Sequence, residues 1–271
     1  MSDHHASLTT AAAWIAAADS LIITAGAGMG VDSGLPDFRD PAGFWGSYPA
    51  LGKRKLRFND IANPESFKIR PRLAWGFYGH RLQLYRDTSP HGGFGLLKKW
   101  ADKKLNGAFV YTSNVDGHFQ KAGFAESCVI ECHGSIHHLQ CLAPCNDHIR
   151  PAAGLRTYID AQACEWLTSL PACPDCGGMA RPNILMFDDW EWLPHRRDLQ
   201  LARYRQWPAL QPVVIELGAG TAIPGVRHFG ESLHAPLIRI NPREPEVNGP
   251  QAVSLPMGAL AALQALDRLL A

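Results

Sequence analysis

The chain has 271 residues, of which 46% are hydrophobic and 19% are charged. This balance is typical of a globular protein and excludes intrinsic disorder. The 26 basic and 25 acidic residues leave a net charge of +1, which provides no electrostatic footprint for nucleic-acid binding. No apolar run reaches the roughly 18 residues of a membrane helix, and the N-terminus lacks the pattern of a signal peptide. We therefore expect a cytoplasmic protein without membrane contact.

The first elements are typical of a nucleotide-binding unit. Residues 8–18 predict a helix, residues 20–24 predict a buried strand, and a glycine-dense turn that leads into a helix follows. Gly26 and Gly28 would allow the backbone to approach a pyrophosphate. The third glycine, however, stands at Gly30, and no acidic residue follows a second strand at the usual distance. A tight turn without a ligand therefore stays open as the alternative.

The loop that follows combines residue types that packing alone explains poorly. Residues 33–39 (SGLPDFR) place glycine, proline, a carboxylate, an aromatic ring and a guanidinium close together. Arg39 could hold a phosphate, and Phe38 could cover a sugar or a ring face.

Later in the chain, apolar runs alternate with helical stretches. The runs are continuous rather than alternating, which suits a parallel sheet covered on both faces. The predicted strands are residues 108–112, 128–131, 213–217 and 236–240, and the clearest predicted helices are residues 95–104 and 258–270.

Two polar side chains follow the strand of residues 108–112. Asn114 and Asp116 occupy alternate positions, so both side chains should lie on one side, at the carboxyl edge where open α/β sheets bind ligands. An Asx turn that ends the strand is the alternative interpretation. His133 follows the next predicted strand, and an imidazole there could accept a proton near neutral pH, although a lone histidine is more often structural.

Four of the seven cysteines form two close pairs: Cys141, Cys145, Cys173 and Cys176. In a reducing compartment, clustered cysteines indicate a metal, and both spacings fall within the range of zinc sites. Four thiolates complete a tetrahedron, so the predicted zinc is structural; a site that has lost its metal is the alternative. Cys132, beside His133, is interpreted as a packing residue.

These observations predict an α/β fold. We expect a Rossmann-like, doubly wound parallel sheet with a small inserted zinc-binding module and a helical insertion. The expected division is a discontinuous Rossmann-like domain of residues 1–43, 88–135 and 190–271, a helical insertion of residues 44–87, and a zinc-binding module of residues 136–189.

The run GAGMGVDSGLPDFRD, residues 26–40, resembles the first signature of the sirtuins, the NAD-dependent protein deacylases. Further blocks follow in the family's order at residues 112–117, 122–123, 131–135, the two cysteine pairs, and residues 181–182, 218–224 and 240–241. The blocks extend over most of the chain, which is thus similar to a bacterial-type sirtuin.

The resemblance implies a chemistry and a set of roles. In sirtuins, the acyl oxygen of a modified lysine attacks the ribose carbon of NAD, nicotinamide leaves, and the acyl group ends on ADP-ribose. By resemblance, His133 is the general base, Asn114 orients the ribose or a water, and Asp116 holds the nicotinamide carboxamide. The remaining residues of the implied NAD pocket are Gly26, Ala27, Gly28, Asp37, Phe38, Arg39, Ser113, Gly218, Gly220 and Asn241.

A Tyr-x-x-Arg pair, Tyr78 and Arg81, indicates which acyl group is accepted. Residues three apart share a helix face. Sirtuins that remove succinyl or malonyl groups carry this pair in the acyl pocket, and a guanidinium with a phenol suits a carboxylate. A solvated arginine beside a packed tyrosine is the alternative.

The sequence departs from the family in the substrate-binding loop. Where sirtuins carry Phe-Gly-Glu, this chain has Phe187-Asp188-Asp189, followed by two tryptophans. Phe187 is the expected contact with substrate, and the acidic loop predicts a preference for basic peptides.

The leading prediction is an NAD-dependent lysine deacylase that acts on acylated-lysine proteins or peptides and contains structural Zn²⁺. An NAD glycohydrolase or a mono-ADP-ribosyltransferase is the alternative, because both also release nicotinamide. A non-catalytic NAD-binding module is disfavoured by His133, Asn114 and Asp116. A monomer is expected, with an oligomer left open.

Overall fold

The computed structural model describes residues 2–36 and 41–271, with the backbone alone at residues 2, 3, 41 and 42. Its strands are β1 (Ser20–Ala25), β2 (Ala108–Thr112), β3 (Val129–Glu131), β4 (Gly134–Cys141), β5 (Arg150–Pro151), β6 (Ile159–Asp160), β7 (Glu165–Trp166), β8 (Ala180–Ile184), β9 (Pro212–Leu217), β10 (Leu237–Ile240) and β11 (Ala252–Leu255). Its α-helices are α1 (Ser2–Ala17), α2 (Pro41–Ser47), α3 (Pro49–Lys53), α4 (Phe58–Ile61), α5 (Pro64–Ile69), α6 (Pro71–Asp87), α7 (Gly92–Ala101), α8 (His118–Lys121), α9 (His195–Gln206), α10 (Gly225–Ser232) and α11 (Ala259–Leu270).

A parallel sheet of six strands forms the centre, in the order β11–β10–β9–β1–β2–β3. The five strands predicted from continuous apolar runs all form, each within one residue of its predicted ends. This confirms the predicted parallel sheet. The edge strand β11 is absent from the sequence prediction, because its four residues are only partly buried apart from Leu255 and form no apolar run.

Helices cover both faces of this sheet. On one face α1, α7 and α11 pack over Leu21 and Ile23 of β1. On the other face, residues of α9 and α10 pack around Ile22 and its neighbours. Side chains of a strand alternate between faces, so a strand buried on both sides is mostly apolar along its length. The doubly wound arrangement is confirmed.

The glycine turn after β1 leads into a 3₁₀ helix, Ala27–Ser33, where the sequence pattern typical of nucleotide-binding units predicts an α-helix. Glycine has low helix propensity, and Gly28 and Gly30 both lie within this segment. The segment ends at Gly34, whose φ of 84° lies in the left-handed region.

A second core lies beside the sheet. Aromatic side chains of α2, α5 and α6 are fully buried there, including Phe67, Trp75 and Phe77. The hairpin of β6 and β7 contributes Trp166, whose ring lies 5.5 Å from that of Trp75. Gly76 permits this contact, since a Cβ at that position would lie 2.0 Å from the carbonyl oxygen of Cys164.

A small antiparallel sheet of β5, β4 and β8 connects this second core to the central sheet. β4 begins directly after His133, and β8 leads directly into the loop of residues 185–192. Among the helices of the described part of the chain, none has the length and apolar character needed to cross a bilayer.

Candidate active site

A cavity of about 920 Å³ lies where the carboxyl ends of the central strands meet the helical insertion. Many of the sequence-predicted site residues line it: Gly26, Ala27, Tyr78, Arg81, Ser113, Asn114, Asp116, His133, Phe187 and Gly220. The structure thus brings together residues from widely separated parts of the chain. Ligands of open α/β sheets bind at this edge.

Three predicted NAD-binding residues, Asp37, Phe38 and Arg39, lie outside the described residues.

Gly28, Gly218 and Asn241 lie behind the cavity wall rather than on it. The amide of Gly28 donates a hydrogen bond to the carbonyl of Gly218 at 3.1 Å. Asn241 is buried, and its Nδ2 donates to the carbonyl of Ala219 at 2.9 Å. These contacts support the two loops that form the wall.

Hydrogen bonds to backbone groups hold the side chains of Asn114 and Asp116 in place, just beyond the end of β2. Asn114 Nδ2 donates to the carbonyl of Gly26 at 3.0 Å, which connects the two neighbouring loops. Asp116 Oδ1 accepts the amide hydrogen of His118 at 2.9 Å, so the Asx turn of the alternative interpretation is present. Asp116 nevertheless lines the cavity, and the turn orients its carboxylate.

His133 lies between β3 and β4, on the cavity wall. Burial lowers the pKa of its imidazole below the usual 6.5, because the charged form is poorly solvated there. The ring is therefore neutral near pH 7 and able to accept a proton. Its carbonyl accepts the amide hydrogen of Leu185 at 2.9 Å, which joins the histidine to the loop of residues 185–192.

Gly134 fixes the position of His133 against β8. Its φ is 77°, and a Cβ there would lie 2.1 Å from the carbonyl oxygen of Asn183. A side chain could not make this close approach, and the left-handed conformation favours glycine. Cys132 is buried, and burial raises the pKa of its thiol to about 11, so it is poorly suited to act as a nucleophile.

Tyr78 and Arg81, on α6, also line the cavity. Both side chains are buried, and burial raises the pKa of Tyr78, which keeps its phenol protonated. Phe187 reaches the same region, where its amide donates to the carbonyl of Ala62 at 2.9 Å. Sequence reasoning missed Tyr85, although its position four residues after Arg81 places it on the same helix face.

The loop of residues 185–192 is attached through a buried ion pair. Arg181 donates to both carboxylate oxygens of Asp189, at 2.7 and 2.8 Å, and neither side chain is exposed. Asp188 is exposed with a φ of 53°, in the region that glycine prefers, and Trp190 is 96% exposed. The substitution of the family's glycine by Asp188 therefore falls where glycine would fit best.

The four clustered cysteines converge at the far end of the small sheet. All four Sγ atoms lie within 4.8 Å of one another, with Cys141 and Cys176 3.6 Å apart and Cys145 and Cys173 3.8 Å apart. Zn–S bonds of about 2.3 Å place tetrahedral sulfurs about 3.8 Å apart, so this donor set fits zinc. Four thiolates leave no open coordination position, and the site therefore serves structure.

Comparison with known proteins adds independent evidence. The Sir2 family model matches residues 26–204. An NAD-dependent protein deacylase of Pyrococcus furiosus is 33% identical over 181 residues, which cover 65% of this chain and 63% of that protein. NAD-dependent protein deacetylase 1 of Geobacillus kaustophilus is 30% identical over 79% of this chain and 76% of its own length. A crystal structure of a Sir2 homologue–NAD complex has a TM-score of 0.71 at 23% identity and covers 96% of this chain and 92% of its own.

The matched segment spans 63%, 60% and 62% of three such deacylases, from Pyrococcus furiosus, Thermococcus sibiricus and Aquifex aeolicus. The family match extends from the glycine turn through the loops of Asn114 and His133, the cysteine pairs and β8. The order of its motifs, its fold and its matching family model together show that the chain belongs to the Sir2 family.

Proposed function

We propose that the protein is an NAD-dependent protein lysine deacylase. It takes an acylated lysine, NAD and water, and it releases lysine, nicotinamide and O-acyl-ADP-ribose. The observation that carries the proposal is the convergence of Asn114, Asp116 and His133 on one cavity with the Gly26–Ala27 turn. The relatives named as NAD-dependent protein deacylases and deacetylases support the same activity.

NAD would lie along the strand ends of this cavity. The backbone at Gly26, Ala27 and Gly220 lines the cavity, where the diphosphate and ribose would contact main-chain groups. Ser113 would form part of the same wall. Asp37, Phe38 and Arg39 would complete the pocket by family resemblance, and Gly28, Gly218 and Asn241 would hold its two loops together.

Asp116 would accept the carboxamide N–H of nicotinamide, and Asn114 would orient the ribose or a water. Once the acyl oxygen has attacked the ribose carbon, nicotinamide leaves with the electrons of the broken C–N bond. His133 would then take the proton from a ribose hydroxyl, and the freed oxygen would attack the acyl carbon. The lysine amine would leave with the electrons of its C–N bond, and water would add to the acyl carbon to give O-acyl-ADP-ribose. The lowered pKa of His133 suits this role, because the base must be neutral when it acts.

The acyl group would occupy the end of the cavity that contains Tyr78 and Arg81. A buried guanidinium next to a phenol is well suited to an acyl chain that ends in a carboxylate, such as succinyl or malonyl. We therefore propose deacetylase activity together with desuccinylase or demalonylase activity. Phe187 would cover the lysine stem.

The exposed loop around Asp188 and Trp190 favours one alternative. If this loop does not bind peptide, the same site would release nicotinamide with water or another acceptor, as an NAD glycohydrolase or mono-ADP-ribosyltransferase does. The two activities differ in whether nicotinamide release depends on the peptide.

The test measures nicotinamide release from NAD with no peptide, with an unmodified lysine peptide, and with acetyl- or succinyl-lysine peptides. The proposal expects release only with acylated peptides, in equal amount to the deacylated product. Equal release in all reactions would support the glycohydrolase and contradict the deacylase. His133→Tyr serves as the control and should abolish the peptide-dependent release.

A further inference from the structure

A hydrogen-bonded pair on α6 connects Arg81 to Tyr85. Nε and Nη2 of Arg81 both donate to the hydroxyl oxygen of Tyr85, at 3.1 and 2.8 Å. Both residues line the cavity, and both are at least nine-tenths buried. Burial raises the pKa of Tyr85, so the phenol stays neutral and its oxygen accepts.

Aromatic rings enclose the same guanidinium. Its central carbon lies 5.4 to 5.9 Å from the ring centroids of Phe58, Phe77, Tyr78 and Tyr85. Rings attract the cation without fixing the direction of its N–H groups, because the ring face is a broad electrostatic surface. The two hydrogen bonds to Tyr85 fix the direction of the N–H groups, since they hold one edge of the planar guanidinium.

Tyr85 is itself held in place by the NAD side of the site. Lys121 Nζ donates to the carbonyls of Tyr85, Arg86 and Thr88 at the C-terminal end of α6, at 2.6, 2.8 and 3.0 Å. Lys121 belongs to α8, which begins two residues after Asp116. These bonds connect the backbone at the end of α6, including that of Tyr85, to the helix that follows the Asp116 loop.

From these contacts we infer that Tyr85 is a positioning residue that fixes the guanidinium of Arg81 and so determines the preference for acyl groups ending in a carboxylate. This inference rests on the proposed function, in which Arg81 contacts the acyl carboxylate. Tyr85 acts through Arg81, and acetyl-lysine, which has no terminal carboxylate, has no need of it.

Tyr85→Phe removes the hydroxyl and keeps the ring. We measure kcat and KM for matched acetyl- and succinyl-lysine peptides at saturating NAD. The expected result is a decrease of about tenfold in the succinyl-to-acetyl ratio of kcat/KM, mainly through a higher KM for the succinyl peptide. Acetyl turnover should change less than about twofold. An unchanged ratio, or equal loss on both peptides, would overturn the inference.

Two further variants separate this inference from the proposal beneath it. Arg81→Met should lower the ratio more than Tyr85→Phe, and in the double variant Tyr85→Phe should cause no additional decrease, because both act through one group. If Arg81→Met lowers the succinyl-to-acetyl ratio and Tyr85→Phe does not, only the role of Tyr85 is overturned. No decrease with either variant overturns the carboxylate site itself. Tyr204→Phe on α9, whose ring packs against Phe109 and Trp207, is the matched control and should keep the wild-type ratio.

Discussion

At the scale of single residues, the local sequence predicts the positions of some site residues, whereas the roles of others depend on contacts with distant parts of the chain. Asn114, Asp116 and His133 can be predicted because each follows an apolar strand, and the carboxyl ends of parallel strands share one edge. Tyr85 cannot be predicted in the same way. Its role depends on the direction of the Arg81 side chain inside a cage of four rings, which local sequence does not specify.

The pH dependence of deacylation tests His133 as the base. Burial lowers the pKa of the imidazole below 6.5, so the neutral, active form persists to lower pH than for an exposed histidine. We expect kcat/KM for an acetyl-lysine peptide to fall on the acidic side with a midpoint below that of an exposed histidine. An acidic limb with its midpoint above pH 7 would contradict this assignment.

At the scale of secondary-structure elements, the central strands can be predicted because a short, continuous apolar run between turn residues is typical of a buried parallel strand. The 3₁₀ segment after β1 and the edge strand β11 cannot, since several glycines weaken an α-helix and an edge strand needs little hydrophobicity. The pairing of Arg181 with Asp189 likewise cannot be predicted from the sequence. It depends on the path of the loop that follows β8, which local sequence leaves undetermined.

The Arg181–Asp189 pair should hold the substrate loop. Asp189→Asn leaves the buried guanidinium without its charge partner, which should cost about 3–5 kcal/mol of unfolding free energy. The KM for peptide should also increase, because the amides of Met186 and Glu191 donate to the same carboxylate. Urea unfolding and steady-state kinetics measure both effects.

Asp188→Asn is the matched control for that variant. Asp188 is exposed, and asparagine tolerates its left-handed backbone, so the unfolding free energy should change by less than about 0.5 kcal/mol. A similar decrease in unfolding free energy in both variants would show that the ion pair is not what stabilises the loop.

At the scale of the whole molecule, two cores share one cavity. The central sheet provides the wall that would bind NAD, and the aromatic core of α2 to α6 with the β6–β7 hairpin provides the wall that would face the acyl group. The division into one discontinuous domain and two insertions stays a prediction. The parallel sheet can be predicted from apolar runs, and the cysteine cluster from the spacing of its residues. The close contact of α6 with the backbone of Cys164 cannot, because it depends on Gly76, and a glycine within a helix does not reveal which segment packs against it.

Zinc should stabilise the small module. We expect about one zinc per chain, and its removal by a chelator or by Cys173→Ser should lower Tm by at least about 5 °C, because the four thiolates would lose their common ligand. Cys128→Ser, which lies outside the cluster, should keep both the metal and the Tm. A chain that contains no metal after purification in zinc-containing buffer and has a Tm unaffected by chelator would contradict the site.

The most direct test of the central claim is the identity of the ADP-ribose product. Mass spectrometry of a reaction with NAD and a succinyl- or acetyl-lysine peptide should show ADP-ribose that has gained the mass of the acyl group, in equal amount to free lysine peptide. The His133→Tyr variant should give neither product. Free ADP-ribose with an unchanged acyl peptide, or ADP-ribosylated protein, would contradict the account.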